Sequence, residues 1–239
     1  MRREGYEMEV SRPQVILKKM GGEVLEPVEE VVIEVDGEYQ GAIMQMIGPR
    51  KAKMMDLKTT SSGTIRMEFV IASRTLMGFR SDLLLITRGS GIMYQNFLEY
   101  QTYKGEMPER QRGVLISHGD GNAIAYALDG LQPRGEIFVS PGDRVYEGMI
   151  VGVNNKGNDL VVNAIREKKL TNMRAAGSDD AIQLIPPRQM TLEFALEFIE
   201  VDELVEVTPK NIRLRKFHLK EINRKRVSRT KITEEKDKD

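Results

Sequence analysis

Residues 28–36, Val28-Glu29-Glu30-Val31-Val32-Ile33-Glu34-Val35-Asp36, are rich in β-branched side chains and largely alternate in polarity. A run of this kind suits a strand with one covered face and one wet face. The neighbouring sequence narrows the choice further. Tyr39, Ile43, Met46 and Ile47 recur at helical spacing, and Gly48-Pro49 ends that helix. Residues 52–59 read as a second strand. Ser61-Ser62-Gly63 turns the chain into Ile65, Met67, Phe69 and Ile71, which repeat with a period of two. Ser73 can cap a helix over 76–88, with Met77, Leu83, Leu84 and Ile86 inward and Gly89 after its end; residues 91–101 form a last strand. The order β-α-β-β-α-β is the split βαβ, or ferredoxin-like, plan. The many methionines of this half are expected to fill gaps in its core.

After the polar stretch 104–109 the texture changes. Short strands are expected at 113–117, 123–128, 136–139, 144–153, 160–165 and 181–185, separated by glycine-rich turns such as Gly119-Asp120-Gly121-Asn122. This pattern suggests a small barrel or sandwich. One helix interrupts it, with Thr191 as N-cap, Glu193 in its first turn, and Leu192, Ala195, Leu196 and Ile199 on one face. A closing hairpin, 204–207 with 211–215, turns at Thr208-Pro209-Lys210-Asn211. The fold class is therefore α+β: a ferredoxin-like domain followed by a mostly β, small barrel-like domain with one helix. Ahead of both, residues 1–5 look like a helix end capped by Gly5, and 7–18 like a strand containing Pro13. Such a segment cannot bury its own apolar face. It is either the tail of a preceding domain or an N-terminal arm that docks on the rest of the chain.

The composition excludes several classes of function. With no cysteine there is no disulfide, thiol nucleophile or thiolate metal site, and the two histidines, His118 and His218, are too far apart in sequence for a short-spaced metal motif. No apolar run is long enough for a membrane span, and Met1-Arg2-Arg3-Glu4-Gly5 has no apolar signal region, so a cytoplasmic protein with no membrane partner is expected. No G-x-x-x-x-G-K-[ST] run is present, and Gly119-Asp120-Gly121 lies between two expected strands rather than before a helix. Ser117 and His118, adjacent on a strand, point to opposite faces, which disfavours a hydrolase. Asp179-Asp180 reads as a solvated pair.

Lysine plus arginine and aspartate plus glutamate both number 36, so net charge indicates nothing, but the charges are clustered. From Arg166 to Arg174 there are four bases against one acid; from Glu193 to Glu206, six acids and no base; from Lys210 to Lys231, ten bases against one acid. The stretch from Asn163 to Asp180 leaves about a dozen residues between expected strands with no pattern of their own, the length at which a loop tends to be functional or disordered. Its side chains suit RNA: Arg166, Lys168, Lys169 and Arg174 for phosphate, with Thr171, Asn172 and Ser178 for phosphate, ribose or base edges. The alternative is a solvated basic loop. Arg213, Arg215, Lys216, Arg224, Lys225 and Arg226 form a second candidate set, open to nucleic acid or to an acidic protein. The acidic helix could instead neutralise these bases within the molecule. A protein-interaction module acting through residues such as Glu197 and Glu200, without direct RNA contact, is the rival functional reading.

Several runs are shared with a known family. Lys168-Lys169-Leu170-Thr171-Asn172-Met173-Arg174-Ala175, Pro186-Pro187, Met190-Thr191-Leu192-Glu193 and Asp202-Glu203-Leu204-Val205-Glu206-Val207-Thr208-Pro209 resemble the C-terminal domain of the TypA/BipA translational GTPases. So do Ser11-Arg12-Pro13-Gln14-Val15-Ile16, Gly78-Phe79-Arg80-Ser81 and Tyr146-Glu147-Gly148. The resemblance implies that residues 1–25 end one ferredoxin-like domain, 26–106 form a second of the elongation factor G domain V type and 107–216 are the family-specific domain; residues 217–239 match no part of the family pattern and, lacking apolar periodicity, are expected to form a basic, disordered tail. It implies a C-terminal fragment whose GTPase domains, with their GTP and Mg, are missing in cis, so that no cofactor, metal or catalysis is expected here. It further implies ribosome binding, with the 166–178 loop on ribosomal RNA and the tRNA acceptor end. Roles in stress-responsive translation and large-subunit assembly are implied as well.

Overall fold

The computed structural model describes residues 4–60, 63–105, 110, 112–167 and 182–236. They form two compact units, one of Pro13–Glu109 and one of Met1–Arg12 together with Arg110–Asp239. The expected strand over 7–18 is two strands, β1 (Met8–Ser11) and β2 (Lys18–Met20), on either side of Pro13. Proline has no N–H to donate to a ladder, and here the chain passes from one unit to the other at that residue.

In the Pro13–Glu109 unit, β2 is followed by β3 (Glu23–Asp36), α1 (Gln40–Ile47), β4 (Lys53–Thr59), β5 (Thr64–Ala72), α2 (Phe79–Ile86) and β6 (Ile92–Thr102). The sheet runs β6-β3-β5-β4, wholly antiparallel, with β2 added at the start of β3. This is the ferredoxin-like plan. Register aligns Val31 with Phe69 and Met54, and Ile33 with Met67 and Met93. Val31, Ile33, Val35, Ile65, Met67 and Phe69 therefore share the face that packs on Ile43 and Ile47 of α1 and on Phe79 and Leu83 of α2. α2 starts later than Ser73 suggests: Ser73–Thr75 is a 3-10 turn, and Gly78, at φ 71°, leads into the helix. Its inward pair is Phe79 and Leu83, one turn apart, while Leu84 faces out. Met67 fills the core as expected, whereas Met54 and Met55 are exposed.

The other unit adds β7 (Val114–Ser117), β8 (Gly121–Asn122), α3 (Ala125–Leu131), β9 (Gly135–Ile137), β10 (Arg144–Val145), β11 (Met149–Asn154), β12 (Leu160–Val162), α4 (Leu192–Phe198), β13 (Glu203–Val207), β14 (Ile212–Lys216) and α5 (Glu221–Lys236). Its main sheet runs β1-β13-β14-β11-β7-β12, with β9 also on β11; β8 and β10 form a separate pair. β12 runs parallel to β7 and the other pairings are antiparallel. Every residue of β7 and β11 is buried. Leu115 and Val151 face one core with Leu128, Leu131 and Val145, while Val114, Ile116 and Ile150 face another with Ala195, Ile199 and Leu214. Burial on both faces explains why these strands read as continuous apolar runs.

Several expectations are corrected. Residues 123–128 are not a strand: α3 covers Ala125–Leu131, and its buried Ala127, Leu128 and Leu131 repeat at helical spacing. The strand expected at 181–185 is not formed: residues 182–185 carry no regular secondary structure and join no sheet, and residue 181 lies outside the described residues. The expected disordered tail carries α5, so with α3 and α4 this unit has three helices among the described residues rather than one. The first segment also divides: β1 pairs antiparallel with β13, Met8 opposite Val207 and Ser11 opposite Leu204, so Met8–Ser11 is part of the β-rich unit.

Candidate nucleic-acid interface

The basic segment leaves the core from β12. The β12 end is fixed by the His118 N–H on Val162 O at 3.0 Å and the Ile124 N–H on Ala164 O at 3.0 Å. Asn163 Oδ1 accepts the Ile165 N–H at 3.1 Å, turning the chain outward, and Ile165 packs on Gly121, where a Cβ would meet it at 3.1 Å. Arg166 is next in the chain and exposed. Lys168, Lys169, Thr171, Asn172, Arg174 and Ser178, with Asp179-Asp180, lie outside the described residues. The chain is described again from Ile182. Leu184 packs on the same core as Ile165, Ile185 O accepts from Gln132 Nε2 at 3.1 Å, and the Arg188 N–H reaches Ile137 O at 3.1 Å. Both flanks of the segment are thus pinned to one apolar core.

The second candidate set separates into two kinds of cation. Lys216 is 3% exposed. Its ammonium pairs with Asp159 at 2.7 Å, Glu203 at 2.9 Å and Asp202 at 3.0 Å. Arg215 pairs with Glu206 at 3.0 Å and with Glu9 of β1. Both belong to the hairpin's own packing, which corrects their placement among surface-facing cations. The acidic segment does neutralise the bases beside it, at these positions. Burial pushes the Glu203 carboxyl up, but hydrogen bonds from Arg110 and the charge of Lys216 outweigh it and hold the group below the ordinary carboxylate range. Burial likewise opposes the charged form of Lys216, and the three carboxylates more than reverse that, raising its pKa.

Arg224, Lys225 and Arg226 sit on α5. The Tyr146-Glu147-Gly148 turn between β10 and β11 anchors this helix. Glu147 Oε1 accepts the N–H of Glu221, the first helical residue, at 2.9 Å. That satisfies one of the donors a helix start leaves open and puts negative charge at its positive end. Gly148 has φ 88°, and a Cβ there would come within 2.6 Å of Leu219 Cα. Arg224 turns back, donating to His218 O at 2.9 Å and to Leu219 O. Lys225 pairs with Glu221 one turn earlier at 2.5 Å, and Arg226 is exposed. Arg213 is half-buried on β14. Sequence reasoning missed Glu147 as the cap. The signal was not local, because 74 residues separate it from the helix it holds.

The catalytic alternative finds no geometry. Ser117 is fully buried and its Oγ donates to Gly119 O at 3.0 Å, while His118 is exposed. Glu200, through which a protein-binding reading would act, is already held by Arg12 at 2.6 Å and by the Arg110 N–H at 2.7 Å.

Comparison with known proteins decides the family. A model of the TypA/BipA C-terminal domain matches residues 112–221, and one of the elongation factor G C-terminus matches residues 23–111. The chain belongs to the TypA/BipA family. It is 50% identical over 230 residues to the large ribosomal subunit assembly factor BipA of Escherichia coli K12, covering 96% of this chain and 38% of that protein. The factor of the same name from Haemophilus influenzae is 49% identical over 231 residues, covering 96% and 38%. That from Buchnera aphidicola is 47% identical over 234 residues, covering 98% and 38%. The chain thus spans 38% of the length of these relatives. The boundary between the two matched regions, at 111–112, falls close to the passage between the units at Glu109–Arg110.

The residues present do not fit the GTP and Mg of the translational GTPases. The sequence holds no phosphate-binding lysine loop, and Gly121 is covered by Ile165 rather than open to a phosphate. Neither matched region is a nucleotide-binding domain. Among the described residues no cluster of three or more His, Asp or Glu could hold a metal, and no helix is long and apolar enough to cross a membrane.

Proposed function

We propose that this chain supplies RNA contacts to a ribosome-associated translational GTPase, through Arg166, Lys168, Lys169, Thr171, Asn172, Arg174 and Ser178, with Arg224, Lys225 and Arg226 of α5 as a second contact. In this reading it acts in the cytoplasm, during large-subunit assembly or translation under stress, and the 166–178 segment meets ribosomal RNA and the tRNA acceptor end. The chemistry is electrostatic. Lys168, Lys169 and Arg174 neutralise phosphates, and Asn172 and Thr171 donate to ribose or phosphate oxygens. GTP hydrolysis belongs to the remainder of the protein.

One observation carries the reading: four bases against one acid lie between two flanks pinned to the same core, in a chain half identical to proteins named as large-subunit assembly factors. Co-sedimentation with ribosomal subunits across a salt series tests it. Neutralising about four to six phosphates gives a slope of log K on log salt of roughly −3 to −5. Replacing Lys168, Lys169 and Arg174 together by alanine lowers both the affinity and the slope. A flat salt dependence, or unchanged affinity in the triple variant, overturns it.

A further inference from the structure

The chain passes between its units twice, after Arg12 and before Arg110. Both passages end on one side chain. Glu200 Oε2 accepts from Arg12 Nη1 at 2.6 Å, and Glu200 Oε1 accepts from the backbone N–H of Arg110 at 2.7 Å. Each oxygen of one carboxylate therefore holds one of the two passages. The carboxylate itself sits between α4 and β13, with its side chain 12% exposed.

The surroundings fix it there. The Glu200 N–H donates to Glu203 Oε2 at 2.9 Å. The Arg110 guanidinium lies across the same Glu203, donating to its two oxygens at 2.9 Å and 3.0 Å, and to Phe198 O at 2.8 Å. It also stacks on the Phe198 ring, 4.3 Å from the centroid. On the other side Ser11, immediately before Arg12, is in register with Leu204 of β13.

We infer that Glu200 is a shared fastener that couples the two passages, so that release of either loosens the other. With both donors seated, the carboxylate is held in one orientation. Without Arg12 it can rotate and hydrate, and the Arg110 N–H loses a fixed acceptor. The coupling is reciprocal, because it is a free energy between two contacts on one group. Charge-assisted bonds of this kind are the stronger class, and a half-buried acceptor makes them directional. Glu200 acts as a positioning residue: it sets where both connecting segments leave the β-rich unit. The inference is independent of RNA binding.

Amide hydrogen exchange on the whole chain tests it, read at Arg110 and along Met8–Ser11. Arg12→Ala removes a donor from the first passage only. Coupling predicts that exchange at Arg110, on the second passage, rises severalfold, while Ile33 and Met67 of the other unit keep their protection. Glu200→Ala raises exchange at both places by about tenfold. Arg12→Lys, which keeps a donor within reach, stays near the parent. In the double variant Arg12→Ala/Glu200→Ala, exchange matches Glu200→Ala alone. Unchanged exchange at Arg110 in Arg12→Ala, or fully additive effects in the double variant, overturns the inference.

Discussion

Glu203 and Lys216 face each other directly across the β13–β14 hairpin, with 2.9 Å between carboxylate and ammonium and side-chain exposures of 0% and 4%. A buried ion pair adds little over an apolar pair of the same shape, but losing one partner leaves a charge stranded. Glu203→Ala or Lys216→Ala is expected to destabilise the β-rich unit by about 3–5 kcal/mol in urea unfolding. Lys216→Met, which keeps the stem and removes the charge, leaves Glu203 with Arg110 and costs less. If the chain binds RNA as proposed, the salt slope of its co-sedimentation with ribosomal subunits stays that of the parent in Lys216→Met, since this ammonium faces inward.

The same pair sets an acid limit. The Glu203 carboxyl titrates below its ordinary value of 4.5 in the folded chain. A carboxyl depressed by folding contributes stability that is fully present above the unfolded value and is lost as pH falls through the folded one. Unfolding monitored from pH 6 downward is therefore expected to show the β-rich unit weakening below about pH 4.5. Glu203→Gln flattens that limb while lowering stability at neutral pH. An equal acid slope in the variant and the parent counts against this role.

At Gly148 the backbone is left-handed, φ 88°, and the space a side chain would take is filled by Leu219. Gly148→Ala is expected to cost at least about 1–2 kcal/mol from backbone conformation alone. Displacement of the 217–221 segment adds to it. Chemical denaturation gives the cost, and exchange at the Lys216 amide, which donates to Gly148 O at 2.9 Å, locates it.

Removing the α5 cap isolates a smaller effect. Glu147→Ala takes away the acceptor of the Glu221 N–H and is expected to cost about 1 kcal/mol, expressed as fraying of α5. Far-UV circular dichroism falls, while the thermal midpoint of the ferredoxin-like unit is unchanged. Glu147→Gln, still an acceptor, restores most of the signal.

In the ferredoxin-like unit, Phe79 and Leu83 carry the contact of α2 with the sheet. Either residue replaced by alanine is expected to cost about 3–5 kcal/mol. Leu84→Ala, one position on but exposed, stays within about 0.5 kcal/mol. Guanidinium unfolding of the three variants separates the buried face of α2 from the wet one.

Local pattern was legible where one periodicity governed one face. Ile65, Met67, Phe69 and Ile71 declared β5, and Ile43 with Ile47 declared α1, because each element packs on a single core. Pattern was misleading where a short element mixed signals. Around Ala123–Leu128 the alternation suggests a strand, yet Ala127, Leu128 and Leu131 are all buried, and only a helix turns all three inward. Tertiary partners decided the rest. Neither the pairing of Met8–Ser11 with Glu203–Val207 nor the hold of Glu147 on α5 leaves a local trace. Of the candidate site, the cluster of bases was plain in the sequence. Which of them turn inward was not, because Lys216 and Arg226 differ in environment rather than in kind.

The β1–β13 pairing has a consequence for biosynthesis. Met8–Ser11 is translated well before Glu203–Val207, and everything that folds as the ferredoxin-like unit is made in between. On an emerging polypeptide the inserted unit can complete itself while β1 still waits for its neighbour. The older residues of the β-rich unit are then the last to find their place, after the hairpin at the far end has been made.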